Sequence, residues 1–230
     1  DATDAILESA DGDFGEVVLD PQAPGFESYV ASTPTHLLGI KGVNSELVSI
    51  ALLSLFTNDM GGTAVVFPVD LLIAENASIS EIYSTVSEAE FIFELGRYLK
   101  LGFNSTSFIT EEDLVDYFEL VAPLTVSLND PLIELDDGQP KVVYESGQLV
   151  LGPSDVYRYL AWESDNESSY NRWLRHKNFW ESWLGTLNVY ETEALGGEWR
   201  EKELNRMLRG LSSGNLIIQN LDLLEVEDSN

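Results

Sequence analysis

Two apolar runs joined by a short turn constrain the fold of this chain more than any other feature. Residues 47–56 and 63–69 lack the alternation of apolar and polar side chains that marks a strand with one solvated face. The connector at 58–62 contains Asn, Asp and two glycines, which favour a turn. Such a hairpin is buried on both faces. We therefore expect a layer of structure on each side of it.

The rest of the chain alternates irregularly between short apolar runs and segments with helical periodicity. Strands are predicted at 36–40 and 124–128, a small hairpin at 141–144 and 148–151, and a last strand from 216. Helices are predicted at 80–101, 110–121, 153–162, 170–187 and 198–211. Because strands and helices do not alternate strictly, we predict a single α/β domain with a central mixed sheet and helices on both faces.

The charge of the chain excludes several kinds of partner. Forty Asp and Glu residues against twelve Lys and Arg residues give a formal net charge of −28. A chain this acidic repels phosphate backbones and anionic lipid, so general nucleic-acid binding and a polybasic membrane anchor are excluded. Disorder is not expected, because 44% of the residues are hydrophobic. Cysteine is absent, which excludes disulfides and thiolate chemistry.

The first 34 residues differ in composition from the remainder. Residues 1–30 contain eight acids, two prolines and no Lys or Arg. We predict an acidic tether or exported N-terminus at 1–34, followed by a folded domain at 35–230; an ordinary solvated extension is the alternative. The tether interpretation favours an extracytoplasmic location, in which an anchoring segment would precede residue 1.

The common catalytic motifs are absent, and the cations are distributed unevenly. No P-loop, GxGxxG, HExxH or GxSxG motif occurs, and the two histidines, His36 and His176, are interpreted as structural. The acidic pairs at 11/13 and 136/137 lack EF-hand spacing. Eight of the twelve cations lie between Arg158 and Arg209.

Arg172 and Arg175 lie three residues apart, so they share a helix face. Two neighbouring guanidinium groups suit a phosphate or pyrophosphate. The alternative is that both arginines pair with nearby acids, namely Asp165, Glu167 or Glu181.

Several weak motifs follow one another along the chain. They are Asn44-Ser45-Glu46-Leu47, Pro68-Val69-Asp70, the segment Tyr159-Leu160-Ala161-Trp162-Glu163, and Asp165 followed by Arg172 and Arg175. Their order resembles the LytR-CpsA-Psr family of cell-envelope proteins. The resemblance covers about residues 35–190. It implies extracytoplasmic, membrane-anchored phosphotransferases that move glycopolymers from polyprenyl pyrophosphate carriers to the cell wall. In that family Mg²⁺ and several arginines hold the pyrophosphate, and an apolar pocket holds the lipid tail.

Carried over by position, the resemblance implies a damaged site. Glu46 and Asp70 would be the metal ligands, and Mg²⁺ would be a cofactor only in an active protein. Arg172, Arg175 and Asp165 would be the catalytic groups of an active protein. Phe118, Trp162 and the same two arginines would contact the substrate. Positions where the family pattern has cations are occupied here by Asn44, Val69, Ala161 and Glu163.

Three functions follow as hypotheses. The first is a non-catalytic binding or scaffolding module of the cell envelope, with an apolar groove for a polyprenyl-linked lipid, a peptide or an envelope protein. The second is a Mg²⁺-dependent glycopolymer phosphotransferase with a rearranged site. The third is a structural subunit of a surface assembly, which would be oligomeric. Four lost arginine contacts, each contributing about 1.5–3 kcal/mol, favour the first.

Overall fold

The computed structural model describes residues 34–57, 60–74, 77–164, 167–187 and 203–219. The predicted acidic tether, apart from residue 34, lies outside these residues. Asp165 and both chain termini also lie outside them, so the predictions that depend on those segments stay predictions.

The elements follow one another in a mixed order. In chain order they are β1 (Thr35–Lys41), β2 (Leu47–Leu55), β3 (Gly62–Phe67), β4 (Leu72–Ala74), β5 (Ala77–Ser78), α1 (Ile79–Thr85), α2 (Glu88–Leu99), β6 (Ser105–Ile109), α3 (Glu111–Glu119), β7 (Leu124–Leu128), β8 (Leu132–Asp136), β9 (Gln139–Tyr144), β10 (Gly147–Leu151), α4 (Pro153–Ala161), α5 (Ser169–Thr186), α6 (Glu203–Ser212) and β11 (Leu216–Gln219). None of the helices within the described ranges combines the length and apolar character needed to cross a membrane.

A five-stranded mixed sheet forms the centre, with strand order β11-β3-β2-β1-β6. The predicted hairpin is confirmed: β2 and β3 pair antiparallel and lie in the middle of the sheet. β1 is antiparallel to β2, whereas β6 joins β1 and β11 joins β3 in parallel. The sequence did not predict β6, because this strand mixes Ser and Thr with apolar residues. Four of its five side chains are only half-buried.

Helices cover both faces of the sheet, as predicted. On one face Leu37 and Ile50 pack against α1 and α2, in a cluster that includes Phe91. On the other face Leu38 and Leu53 belong to a larger cluster with residues of α3, α4, α5 and α6. The two faces alternate along β1 and β2, so each strand contributes to two cores. Because both faces of these strands are buried, neither strand alternates between apolar and polar residues.

The helix predicted at 80–101 is two helices. Ser87 caps α2 because its hydroxyl accepts the backbone N–H of Glu90 at 3.3 Å, and this cap separates α2 from α1. Ser78 forms a capping box with Glu81 at the start of α1. α2 ends at Leu99, and its C-cap Lys100 has φ 54°. The helix therefore ends before Gly102, the glycine predicted to stop it.

The predicted pairing of 141–144 with 148–151 is wrong. β9 pairs with β8, and β10 pairs with β7. Asp137 and Gly138 have φ values of 50° and 75°, and positive φ at both positions is the geometry of a tight hairpin turn. Asp136 is thus the last residue of β8, and Asp137 lies in the β8–β9 turn.

The long helix α5 is held against the sheet by side-chain hydrogen bonds as well as by packing. Trp173 Nε1 donates to the carbonyl of Val66 in β3 at 2.8 Å, and Trp180 Nε1 donates to Ser49 Oγ in β2 at 2.9 Å. These bonds fix the rotation of α5, so its N-terminal half faces the end of α4 and the start of β2.

Candidate functional site

A cleft of about 670 Å³ opens where α4 ends, beside the start of β2 and the N-terminal half of α5. Most of its wall is apolar. The apolar contributors are Leu47, Val48, Val69, Leu160, Ala161 and Trp162. A concave, largely apolar wall with a few polar groups is the usual form of a ligand site.

The cleft brings together residues that are distant in sequence. Glu46 and Arg172 both line it. All four positions at which the family pattern has cations also line it, namely Asn44, Val69, Ala161 and Glu163. The motif residues therefore lie around one cleft, although the polar residues of this cleft differ from the family pattern.

Arg172 is surrounded by carboxylates. Its Nη1 lies 3.6 Å from Glu163 Oε1 and 3.9 Å from Asp70 Oδ2, and its Nε lies 3.7 Å from Glu167 Oε2. The Arg172 side chain is 22% exposed, whereas that of Glu163 is 81% exposed. The three acids offset the guanidinium charge without forming short hydrogen bonds to it, and the buried Nε of Arg172 has no hydrogen-bond partner among the described residues. The pairing alternative proposed from sequence is correct for Glu167.

Arg175 does not face the cleft, which corrects its assignment as a substrate contact. Its side chain is 1% exposed, and its guanidinium binds the buried carboxylate of Glu167 through two bonds of 2.8 Å. It also donates to the carbonyls of Tyr159 and Trp162, the latter at 2.8 Å. These carbonyls lie at the end of α4, where they have no intrahelical donor. Arg175 therefore caps the C-terminus of α4 from inside the core.

His176 supports the same helix end. Its Nε2–H donates to the carbonyl of Leu160 at 2.9 Å. Burial, with a further contribution from the charge of Arg175, lowers the pKa of His176 to about 3. The ring is neutral at physiological pH, so it supplies no cation to the cleft. Burial likewise lowers the pKa of His36 in β1 to about 4.

Both histidines make stability depend on pH. Above pH 6.5 they are neutral in the folded and unfolded chains alike; below it only the unfolded chain takes up protons, until the pH reaches the lowered pKa values. We expect His176→Gln to flatten the dependence of the free energy of unfolding on pH by up to about 1.4 kcal/mol per pH unit between pH 6 and 4. Urea titrations of both proteins measure this. Parallel curves would contradict a neutral buried ring.

The two aromatic candidates have different environments. Trp162 lines the cleft, and the guanidinium of Arg158 lies 5.3 Å from its ring centroid. Phe118 is 0% exposed and stacks on Phe179 with ring centroids 6.3 Å apart. Phe118 therefore has no surface that a ligand could contact in this packing, which corrects its assignment as a substrate contact. Arg158 was not a site candidate, since its position depends on the tertiary fold.

Glu46 and Asp70 do not form a metal site by themselves. Glu46 Oε2 accepts the backbone N–H of Asn44 at 2.9 Å, and Asp70 lies beside the cation of Arg172. Within the described ranges no three acidic or histidine side chains converge as metal ligands would. Mg²⁺ at phosphate-transfer sites is usually held by one or two carboxylates together with substrate phosphates, and in an active protein Glu46 and Asp70 would be those carboxylates.

Comparison with known proteins defines the class of fold. No family model matches the sequence, and no curated protein matches it. Solved structures do match. A protein from Streptococcus agalactiae is 13% identical with a TM-score of 0.59, covering 87% of this chain and 80% of its own. Two B. subtilis proteins, TagT and TagV, are 13% and 11% identical with TM-scores of 0.54.

TagT covers 92% of this chain and 86% of its own, and TagV covers 81% and 85%. Both are LytR-CpsA-Psr proteins. The chain therefore has the LytR-CpsA-Psr fold, as the motif order predicted. At these identities the likeness establishes the fold alone. TagT has also been solved bound to LIIa-WTA.

Proposed function

We propose that this chain is a non-catalytic binding or scaffolding module of the cell envelope, built on the LytR-CpsA-Psr fold. The observation that carries the proposal is the burial and ion pairing of Arg172 and Arg175, the two arginines that remain from the family motifs. Arg175 is withdrawn into the core and Arg172 is compensated by three carboxylates. A diphosphate that enters the cleft meets Arg172, whose charge is already offset by these carboxylates, and Arg158, whose guanidinium lies over the ring of Trp162.

The activation free energy of phosphoryl transfer also supports a non-catalytic role. Phosphoryl transfer depends on preorganised positive charge, and removing one such contact at the transition state costs about 2.7–4 kcal/mol. In this chain Glu163 lies on the wall of the cleft in place of a cation, and Glu46 lies on the same wall. Both carboxylates repel the developing negative charge. The cleft is thus better suited to holding a ligand than to breaking its pyrophosphate.

The apolar wall indicates the part of a ligand that would be bound. Phe118 and Trp183, both 0% exposed, occupy the larger core, and Phe91 and Leu95, also 0% exposed, occupy the smaller one. Because both cores contain such closely packed side chains, the cleft is the accessible apolar surface for a tail. The cleft beside Trp162 is then the place for a lipid or an apolar peptide segment. TagT with its LIIa-WTA ligand is a precedent for ligand binding on this fold. An extracytoplasmic location is part of the same proposal.

Two measurements on the full chain test the proposal. We expect no Mg²⁺-dependent phosphate release from a polyprenyl pyrophosphate above the protein-free rate, together with measurable heat when a polyprenyl phosphate is titrated in. Trp162→Ala should remove most of that heat, whereas Phe93→Ala, at an exposed position outside the cleft, should leave it unchanged. Absence of heat would refute the groove, and turnover would refute the non-catalytic assignment.

A phosphotransferase with a rearranged site is the second candidate, favoured by one observation. Asp70 lies 3.9 Å from Arg172, and Glu46 lines the same cleft, so acids and cation are close enough to cooperate around a diphosphate. This function predicts Mg²⁺-dependent turnover that Arg172→Ala abolishes. Turnover that survives in Arg172→Ala would exclude it.

A further inference from the structure

A second, smaller cavity lies on the other side of the Arg175–Glu167 ion pair. It has a volume of about 250 Å³ and lies between the turn that follows β7 and the N-terminal half of α5. It shares no lining residue with the cleft. Its polar wall consists of Asn129, Asp130, Asn171, Asn178 and the ion pair. Among its lining residues, only Arg175 was a site candidate from the sequence.

The charges around this cavity favour a neutral ligand. The guanidinium of Arg175 is already bound to Glu167 and to backbone carbonyls, so no free cation is available for an anion. Asp130 is the one lining acid outside that pair, and its Oδ2 accepts from Asn171 Nδ2 at 3.0 Å. A metal ion would meet a single carboxylate and lie near the positive charge of Arg175. Both kinds of ion are therefore disfavoured.

The carboxamides supply unused hydrogen-bonding capacity of both kinds. Each Asn side chain has two donors and one acceptor oxygen. Asn171 uses one donor on Asp130, and Asn178 uses one on the carbonyl of Ser127 at 3.1 Å. The remaining donors and acceptors of Asn129, Asn171 and Asn178 match hydroxyl groups, because a hydroxyl both donates and accepts. Leucine and proline side chains from the β7–β8 segment add an apolar patch for C–H groups.

The size of the cavity sets the size of the ligand. At roughly 30 Å³ per water molecule, the volume corresponds to about eight waters. A pyranose ring can displace such waters and replace their hydrogen bonds with its own hydroxyls, which keeps the exchange favourable. We propose that this cavity binds a neutral, hydroxyl-rich group of monosaccharide size. The proposal does not depend on the function proposed for the cleft.

Titration of the ¹⁵N-labelled chain with methyl glycosides tests it. The probes are the methyl glycosides of glucose, galactose and N-acetylglucosamine, with inorganic phosphate and Ca²⁺ as charged comparisons. We expect at least one glycoside to shift the side-chain amide signals of Asn129, Asn171 and Asn178 saturably. Phosphate and Ca²⁺ should leave these signals in place.

Matched variants make the result specific. Asn171→Ala removes one carboxamide from a half-buried helix position. It should lower the affinity for the glycoside by roughly tenfold. Gln139→Ala removes a carboxamide from the exposed strand β9, outside the cavity, and should not weaken it. Three results would overturn the proposal: no shift with any glycoside, an equal shift in the Asn171 variant, or binding of Ca²⁺ or phosphate in place of the sugar.

Discussion

Arg175→Met is expected to cost about 3–5 kcal/mol of the free energy of unfolding, because it leaves the buried carboxylate of Glu167 without its partner. It also removes the donors that bind the carbonyls of Tyr159 and Trp162 at the end of α4. Both effects act on the folded state and have no counterpart in the solvated unfolded chain. Urea denaturation followed by circular dichroism measures the loss.

Two further variants separate charge from geometry. Arg175→Lys keeps the charge but loses the planar guanidinium group. Its free energy of unfolding should therefore lie between those of the wild type and the Met variant. Glu167→Gln combined with Arg175→Met removes the unpaired buried charge. The double variant should lose less free energy of unfolding than the two single variants added together, by about 1 kcal/mol or more. A loss below about 1 kcal/mol in Arg175→Met would contradict a structural role for this arginine.

Trp180→Ala is the second large effect, with an expected cost of about 3–5 kcal/mol from the same denaturation measurement. Trp180 is 0% exposed and packs against Phe179 and Trp183, with ring centroids 6.2 Å and 5.3 Å away. Truncation opens a cavity where α5 meets the central strand β2. It also leaves the hydroxyl of Ser49 without its donor.

A comparison of two Phe substitutions isolates that hydrogen bond. Trp183 is equally buried, but its Nε1 has no hydrogen-bond partner among the described residues. Trp183→Phe therefore removes an unsatisfied donor, whereas Trp180→Phe breaks a buried bond to Ser49. We expect the Trp180 variant to be less stable than the Trp183 variant by about 1 kcal/mol. The opposite order would show that ring volume dominates over the bond.

Local patterns predicted the fold where the signal lies within one element. The unbroken apolar character of β2 and β3 identified the sheet centre, and the cap at Thr110 located α3. Pairings across the chain were harder. β9 pairs with β8 instead of β10 because of the turn at 137–138. β6 is recognisable as a strand only from its pairing with β1. Such choices depend on contacts that no local window contains.

The sequence grouped the residues of the cleft but did not predict their contacts. The motifs assigned Glu46, Trp162 and Arg172 to one candidate site, and all three line the same cleft. Spacing could not distinguish the two arginines. A separation of three residues puts Arg172 and Arg175 on the same helix face, yet one borders the cleft and the other lies under α4. The difference depends on how α5 is rotated against the sheet, which the bonds of Trp173 and Trp180 determine.

The role of Arg175 also affects how related sequences should be interpreted. In this chain the arginine closes a helix end inside the core, so folding alone accounts for it, whether or not the protein performs any chemistry. Its presence in the motif therefore carries little information about activity here. Residues that line the cleft are more informative, and at the positions where the family pattern has cations they are residues 44, 69, 161 and 163. Sorting sequences by charge at those four positions should separate enzymes from binders.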